Sequence, residues 1–263
     1  MIIIKIGGGK NINLKGIISE LNLLNDKFII VHGANHLRNE LANKLGTKIK
    51  TVTSVKGFSS VLSDDNLIDL QLMAYAGLKN KRIVELCQQN GINAIGLTGL
   101  DGQVIKGKKN KGIRIRENGK LKIVRDNSGK PFEVNVPLLN LLLENGYVPV
   151  LTVPIISEDG NALNSENDDI VSLLSNSIKA DKVIQFIEAE GLLENYADEN
   201  SCIKQLSKSE LLQKVENSKG RIKRKLYAIQ KLFDNPDIEI IISDGRLEQP
   251  ITNILNGGGT IIK

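Results

Sequence analysis

Seven short runs of branched apolar residues constrain what this chain can fold into: MIIIKI, KFIIVHG, INAIGL, YVPVLT, DKVIQFI, IEIIIS and GTIIK. Each has the length and β-branched content of a strand. Helical spacing marks the stretches Leu14 to Leu24, Asn35 to Leu45, Asp64 to Gln89, Val136 to Glu144 and Asp168 to Ile178. Strands alternating with helices predict an α/β protein whose central, mainly parallel sheet is covered on both faces. Between Gln103 and Val124 the residues alternate and Gly107, Gly112 and Gly119 punctuate them, so protruding β-hairpins are expected there. No internal repeat is present. The polar, acidic stretch from Ser157 to Asn167 is the candidate seam between two lobes, residues 1–156 and 157–263.

With 263 residues, 41% of them hydrophobic, the chain can build one large domain or two closely packed lobes. No apolar stretch approaches the roughly 20 residues that span a bilayer, and a cytoplasmic protein is expected. Cys87 and Cys202 are far apart and His32 and His36 have no second ligand cluster to join, so neither a disulfide nor a structural zinc is expected. The net charge of +5 favours an anionic substrate or acidic partner. Most telling is the segment from Lys106 to Arg125, with nine Lys or Arg residues and a single acid, Glu117. Aromatic residues are only 3% of the chain and none interleaves this run, which argues against stacking on nucleic-acid bases.

The first run carries Lys5 and passes directly into Gly7, Gly8 and Gly9. Glycines at the carboxyl end of a strand let the backbone approach a ligand and leave amides to hold phosphate. Neither common nucleotide motif is matched, since no G-x-x-x-x-G-K-S/T occurs and Ile12 stands where G-x-G-x-x-G needs its third glycine. A tight turn without a ligand explains the glycines alone. It does not explain Lys5, because an ammonium on a buried-type strand is costly unless it faces an anion or a cleft. A second turn, VHGAN, follows the next strand, and ligands of open α/β sheets bind at such carboxyl ends. His32 in that turn is either a general base or, more often for a lone histidine, structural.

The loop GNALNSENDD offers Asn164 and Asp168, with helix capping as its bland explanation. The run KGRIKRK, Lys219 to Lys225, places five cations at the start of a helical segment, where they oppose the helix dipole and call for an anionic ligand. Lysines and glycines without a Ser-His-Asp or Cys-His set suit phosphoryl transfer to a carboxylate. Such an acceptor is already a nucleophile, and catalysis reduces to positioning and charge stabilisation.

KIGGG, VHG, GLTGLDG, ALNSENDD, GRIKRK and the closing DGR and NGGGTII resemble, in order and over essentially the whole chain, the amino acid kinase family in its N-acetylglutamate kinase branch. GLKNKRIVEL, NAIGLTGLDG and SDGRLEQPI are most similar to the kinases acting on 2-aminoadipate or glutamate attached to the carrier protein LysW. The resemblance implies a three-layer αβα sandwich of the carbamate kinase-like type, with the amino-acid substrate and carrier in residues 1–156 and ATP, with Mg2+ on its phosphates, in residues 157–263. It implies that Lys5 and Lys225 neutralise the transferred group and that Asp168 holds both. It assigns phosphate contacts to Gly7, Gly8 and Gly9, substrate contacts to Gly33, Ala34 and Asn164, and no protein-held metal. The product would be an acyl phosphate. LysW is acidic, which gives the Lys106 to Arg125 segment a use, and relatives are commonly homodimers.

Three positions depart from the family pattern. Ala34 replaces a glycine, Val61 stands where relatives place an arginine for the substrate α-carboxylate, and Ile187-Glu188 replaces a Ser-Asp pair of the nucleotide lobe. Ala34 and Val61 motivate a non-catalytic homologue that binds nucleotide or amino acid, and a kinase for free N-acetylglutamate on the same fold stays open beside it.

Overall fold

The computed structural model describes residues 1–55, 59–117, 119–195, 198, 201–218, 226–235 and 237–263. Its centre is an eight-stranded sheet in the order Gln205–Leu206, Thr260–Ile262, Glu239–Asp244, Lys182–Ile187, Ile2–Ile6, Phe28–His32, Val148–Thr152 and Ala94–Thr98. Neighbours run parallel except Glu239–Asp244 with Thr260–Ile262. Strands from the start of the chain form one half of this sheet and strands from its end the other. The halves join where Ile2–Ile6 pairs with Lys182–Ile187.

The two-residue period of a strand sorts the first run between two apolar layers. Ile2, Ile4 and Ile6 enter one core, packed by Ile17 and Ile18 of the helix Leu14–Ser19, Ile83 and Cys87 of Asn80–Gln89, and Ile251 of Pro250–Leu255. Ile3 enters the other, under Ile170, Val171 and Leu174 of the helix Asn167–Ile178. Lys5 falls on the same face as Ile3, which directs it toward that helix. Each fully buried isoleucine contributes about 1.5–3 kcal/mol, so the two layers hold the sheet between them.

Helical structure is continuous from Asp65 to Gln89, and Leu72–Lys79 within it is a π-helix. Ala74 and Tyr75 pack in one core and Ile83 and Cys87 in the other. The wider π turns rotate the apolar face between the two layers. The stretch expected as a single helix over Leu14 to Leu24 breaks after Ser19 into a 3-10 turn, Leu21–Leu24, ended by Asn25 in the left-handed region at φ 46.

Hairpins do occur where alternation predicts them. Ile113–Glu117 pairs with Lys120–Val124 there, and a second hairpin, outside the stretch where alternation marks one, joins Thr51–Thr53 to Ser59–Val61. Ile105–Lys109 instead enters a four-stranded sheet with Gly129–Val134, Ile155–Ser157 and Ala162–Leu163. The polar stretch from Ser157 to Asn167 is tied into this sheet, since Gly129 N–H donates to Asn164 O at 2.9 Å.

Candidate active site

Strand alternation brings the Lys5 ammonium to 2.5 Å from Asp168 Oδ1. Asp168 and Asp169 occupy the first turn of the helix Asn167–Ile178, where no side chain caps the exposed amides and the dipole favours negative charge. Asp168 thus receives its cation from the centre of the sheet. Asp169 receives one from the other end of the chain, with Lys231 Nζ at 2.8 Å. The same ammonium stands 5.3 Å from the centre of the Tyr227 ring.

Next to Lys5 the two glycine turns touch backbone to backbone. A Cβ on Gly8 would lie 2.7 Å from Asn35 N and 2.8 Å from Ala34 N, closer than real Cβ atoms come. His36 N–H donates to Gly8 O at 3.0 Å and locks the turns together. Gly7 N–H is given to Phe186 O at 3.0 Å and Gly33 N–H to Ile6 O at 2.9 Å, so these two extend the sheet and are not offered to an anion. The N–H groups of Gly8 and Gly9 have no acceptor among the described residues, whereas the Ala34 N–H is turned to the buried Tyr75 hydroxyl. Ala34 has φ −147, so this turn does not use the left-handed region for which the family glycine would be required. The free N–H groups of Gly8 and Gly9 directly follow the strand that carries the Lys5 ammonium, and amides and a cation so combined suit phosphate oxygens.

Glu188 stands at the rim of the turn. Its carboxylate accepts Asn11 N–H at 2.6 Å and would lie 2.1 Å from a Cβ on Gly9. Behind it, Arg246 bonds both oxygens of the buried Asp244 and reaches Glu190, and these carboxylates raise its pKa further. That cluster fixes the loop following Lys182–Ile187.

His32 is fully buried, and burial lowers its pKa to about 3. Its Nε2 lies 3.2 Å from Asn80 Nδ2, which also donates to Val150 O at 2.9 Å. A neutral ring accepting from an amide is structural, and the general-base reading is discarded. Asn164 is engaged as well: its Oδ1 accepts from Gln71 Nε2 at 2.6 Å and its Nδ2 donates to Ser63 Oγ at 2.9 Å.

Sequence reasoning missed Asn167 and Asn35. Asn167 Nδ2 comes within 3.4 Å of where a Cβ on Gly33 would stand, and its buried Oδ1 has no hydrogen-bond partner among the described residues. Asn35 Oδ1 accepts from the buried Tyr75 hydroxyl, whose pKa burial pushes up to about 12. Only the polar character of these loops signalled them. Lys225, expected opposite Lys5, lies outside the described residues with the rest of Lys219 to Lys225. Val61 pairs with Thr51, and in the same hairpin Val55 N–H donates to Arg114 O at 2.8 Å, so the basic ribbon abuts it.

Residues 1–244 match the amino acid kinase family. The chain belongs to that family. Among its relatives, a LysW-aminoadipate kinase of Thermus thermophilus is 36% identical over 273 residues, covering 100% of both chains. An acetylglutamate kinase of a Thermoanaerobacter species is 29% identical, covering 94% of this chain and 80% of its own. The carbamate kinase of Giardia superposes with a TM-score of 0.65 over 99% of this chain and 97% of its own, and at 15% identity that likeness concerns the fold. This amino acid kinase is therefore a phosphotransferase on a three-layer αβα frame.

Proposed function

We propose that this amino acid kinase transfers the γ-phosphoryl group of ATP to the side-chain carboxylate of 2-aminoadipate or glutamate linked to LysW, giving an acyl phosphate in lysine or arginine biosynthesis. The observation that carries the reading is the Lys5–Asp168 pair on a strand that runs into the two unclaimed amides of Gly8 and Gly9. Names of full-length relatives supply the acceptor class.

Phosphoryl transfer needs positive charge around a migrating PO3 unit and little else from the protein. The Gly8 and Gly9 amides would hold phosphate oxygens in a cradle that any Cβ would fill, Lys5 would neutralise the equatorial oxygens, and Asp168 would aim the ammonium. ATP with its Mg2+ supplies the electrophilic phosphorus and partial charge neutralisation. Asn167 is available to the acceptor. The acceptor carboxylate needs no base, in keeping with a neutral His32. Residues 1–156 would hold the acceptor and residues 157–263 the nucleotide, and Lys225, by the family resemblance, would share the charge of the transferred group with Lys5. The basic ribbon steers the acidic carrier by charge complementarity. A cytoplasmic homodimer completes the reading.

The test is hydroxamate formation with MgATP and hydroxylamine, offering LysW-aminoadipate, LysW-glutamate and free N-acetylglutamate in parallel. Product from a LysW-linked acceptor supports the reading. Product from free N-acetylglutamate alone replaces it with an acetylglutamate kinase.

A further inference from the structure

The hairpin Ile113–Glu117 with Lys120–Val124 has two unlike faces. In its register Arg114 stands opposite Ile123 and Arg116 opposite Leu121, so these four side chains share one face. Leu121 is 67% and Ile123 57% exposed, and Leu121 is the most exposed large apolar residue described. The other face holds Ile115 and Lys122, and there Lys122 neutralises the ribbon's only acid, Glu117, at 2.9 Å. Arg114 and Arg116 have no carboxylate partner among the described residues. Folding explains neither the bare leucine and isoleucine nor the two uncompensated guanidinium groups around them. Val55 N–H, donating to Arg114 O at 2.8 Å, ties this face to the hairpin Thr51–Thr53 with Ser59–Val61.

We infer that the Arg114–Ile123–Arg116–Leu121 face is a docking site for an acidic protein segment that carries an apolar side chain between carboxylates. The inference rests on the carrier-linked reading above and adds a division of labour to it. Charge complementarity selects the occupant: guanidinium groups pair bidentately with carboxylates, and two branched side chains between them offer an apolar centre but no ring on which a base could stack. Arginines speed encounter and respond to salt. Leu121 and Ile123, desolvated only on docking, set the dissociation rate and resist salt.

The experiment measures binding of LysW to immobilised full-length kinase over a salt series, with turnover of LysW-aminoadipate alongside. The double variant Leu121→Ser/Ile123→Ser is expected to dissociate at least about tenfold faster, with an unchanged salt slope and unchanged kcat at saturating carrier. Arg114→Gln/Arg116→Gln is expected to flatten the salt dependence of association. LysW binding equally well to unsubstituted kinase and the Leu121/Ile123 variant overturns the inference while leaving the carrier-linked reading intact. Failure of LysW to bind the unsubstituted kinase, with turnover of free N-acetylglutamate, overturns both. Tighter binding of a generic RNA than of LysW overturns the docking assignment.

Discussion

Lys5 Nζ lies 2.5 Å from Asp168 Oδ1 across 163 residues of sequence, joining the middle of the central sheet to the first turn of the helix that covers it. Asp168 accepts from Lys5 and sits in the positive field of its helix, so it is a fixed anchor for the ammonium. Asp168→Asn keeps the shape and removes that anchor. It is expected to lower kcat about 100-fold, the scale of a misplaced catalytic group, with the thermal midpoint moved far less. Steady-state kinetics and a melting curve check it.

Gly8 is constrained by backbone atoms and Gly9 by the end of an exposed side chain. Gly8→Ala is expected to destabilise the fold by about 1–3 kcal/mol and to abolish turnover, because the colliding Asn35 and Ala34 nitrogens cannot swing aside. Gly9→Ala is expected to fold normally, since Glu188 can rotate away. Urea unfolding of both variants separates the two cases.

Asn164 bridges Gln71 and Ser63. Asn164→Ala leaves both partners short of a hydrogen bond and is expected to cost about 1–3 kcal/mol in chemical unfolding. A raised KM with unchanged stability would restore its role as a substrate contact.

His32 carries a pH signature. Its pKa falls from the ordinary 6.5 to about 3 in the folded protein because burial disfavours the charged ring. The unfolded chain therefore binds the proton first. The stability due to a neutral His32 is complete above pH 6.5 and is lost as pH falls toward 3, with a slope of up to about 1.4 kcal/mol per pH unit. Unfolding free energies between pH 6.5 and 4 should lose that component in His32→Asn, and kcat should show no inflection belonging to this ring.

Strand and helix order was legible because the branched apolar runs are long and both faces of the sheet demand them. Lys5 was legible because a charge inside such a run needs a partner, whereas Asp168 as its holder came from the family resemblance, since helix capping alone accounts for acids at that place. The engagement of the Gly7 and Gly33 amides was not, since a glycine-rich string does not reveal which N–H continues a sheet. Nor was the occupation of Asn164 by Gln71 and Ser63, contacts set by tertiary packing across 93 and 101 residues. The π segment Leu72–Lys79 escaped because its apolar residues fit an ordinary helical period as well. Ala34 shows the reverse: a departure from a motif at a position whose backbone does not need the left-handed region.

The most direct measurement is single-turnover phosphoryl transfer by Lys5→Met with saturating MgATP and LysW-linked acceptor. If the Lys5 ammonium carries the charge of the migrating group, the rate falls about 100- to 1000-fold while nucleotide affinity changes by less than about tenfold. A rate within about threefold of the unsubstituted enzyme would contradict the role assigned to Lys5.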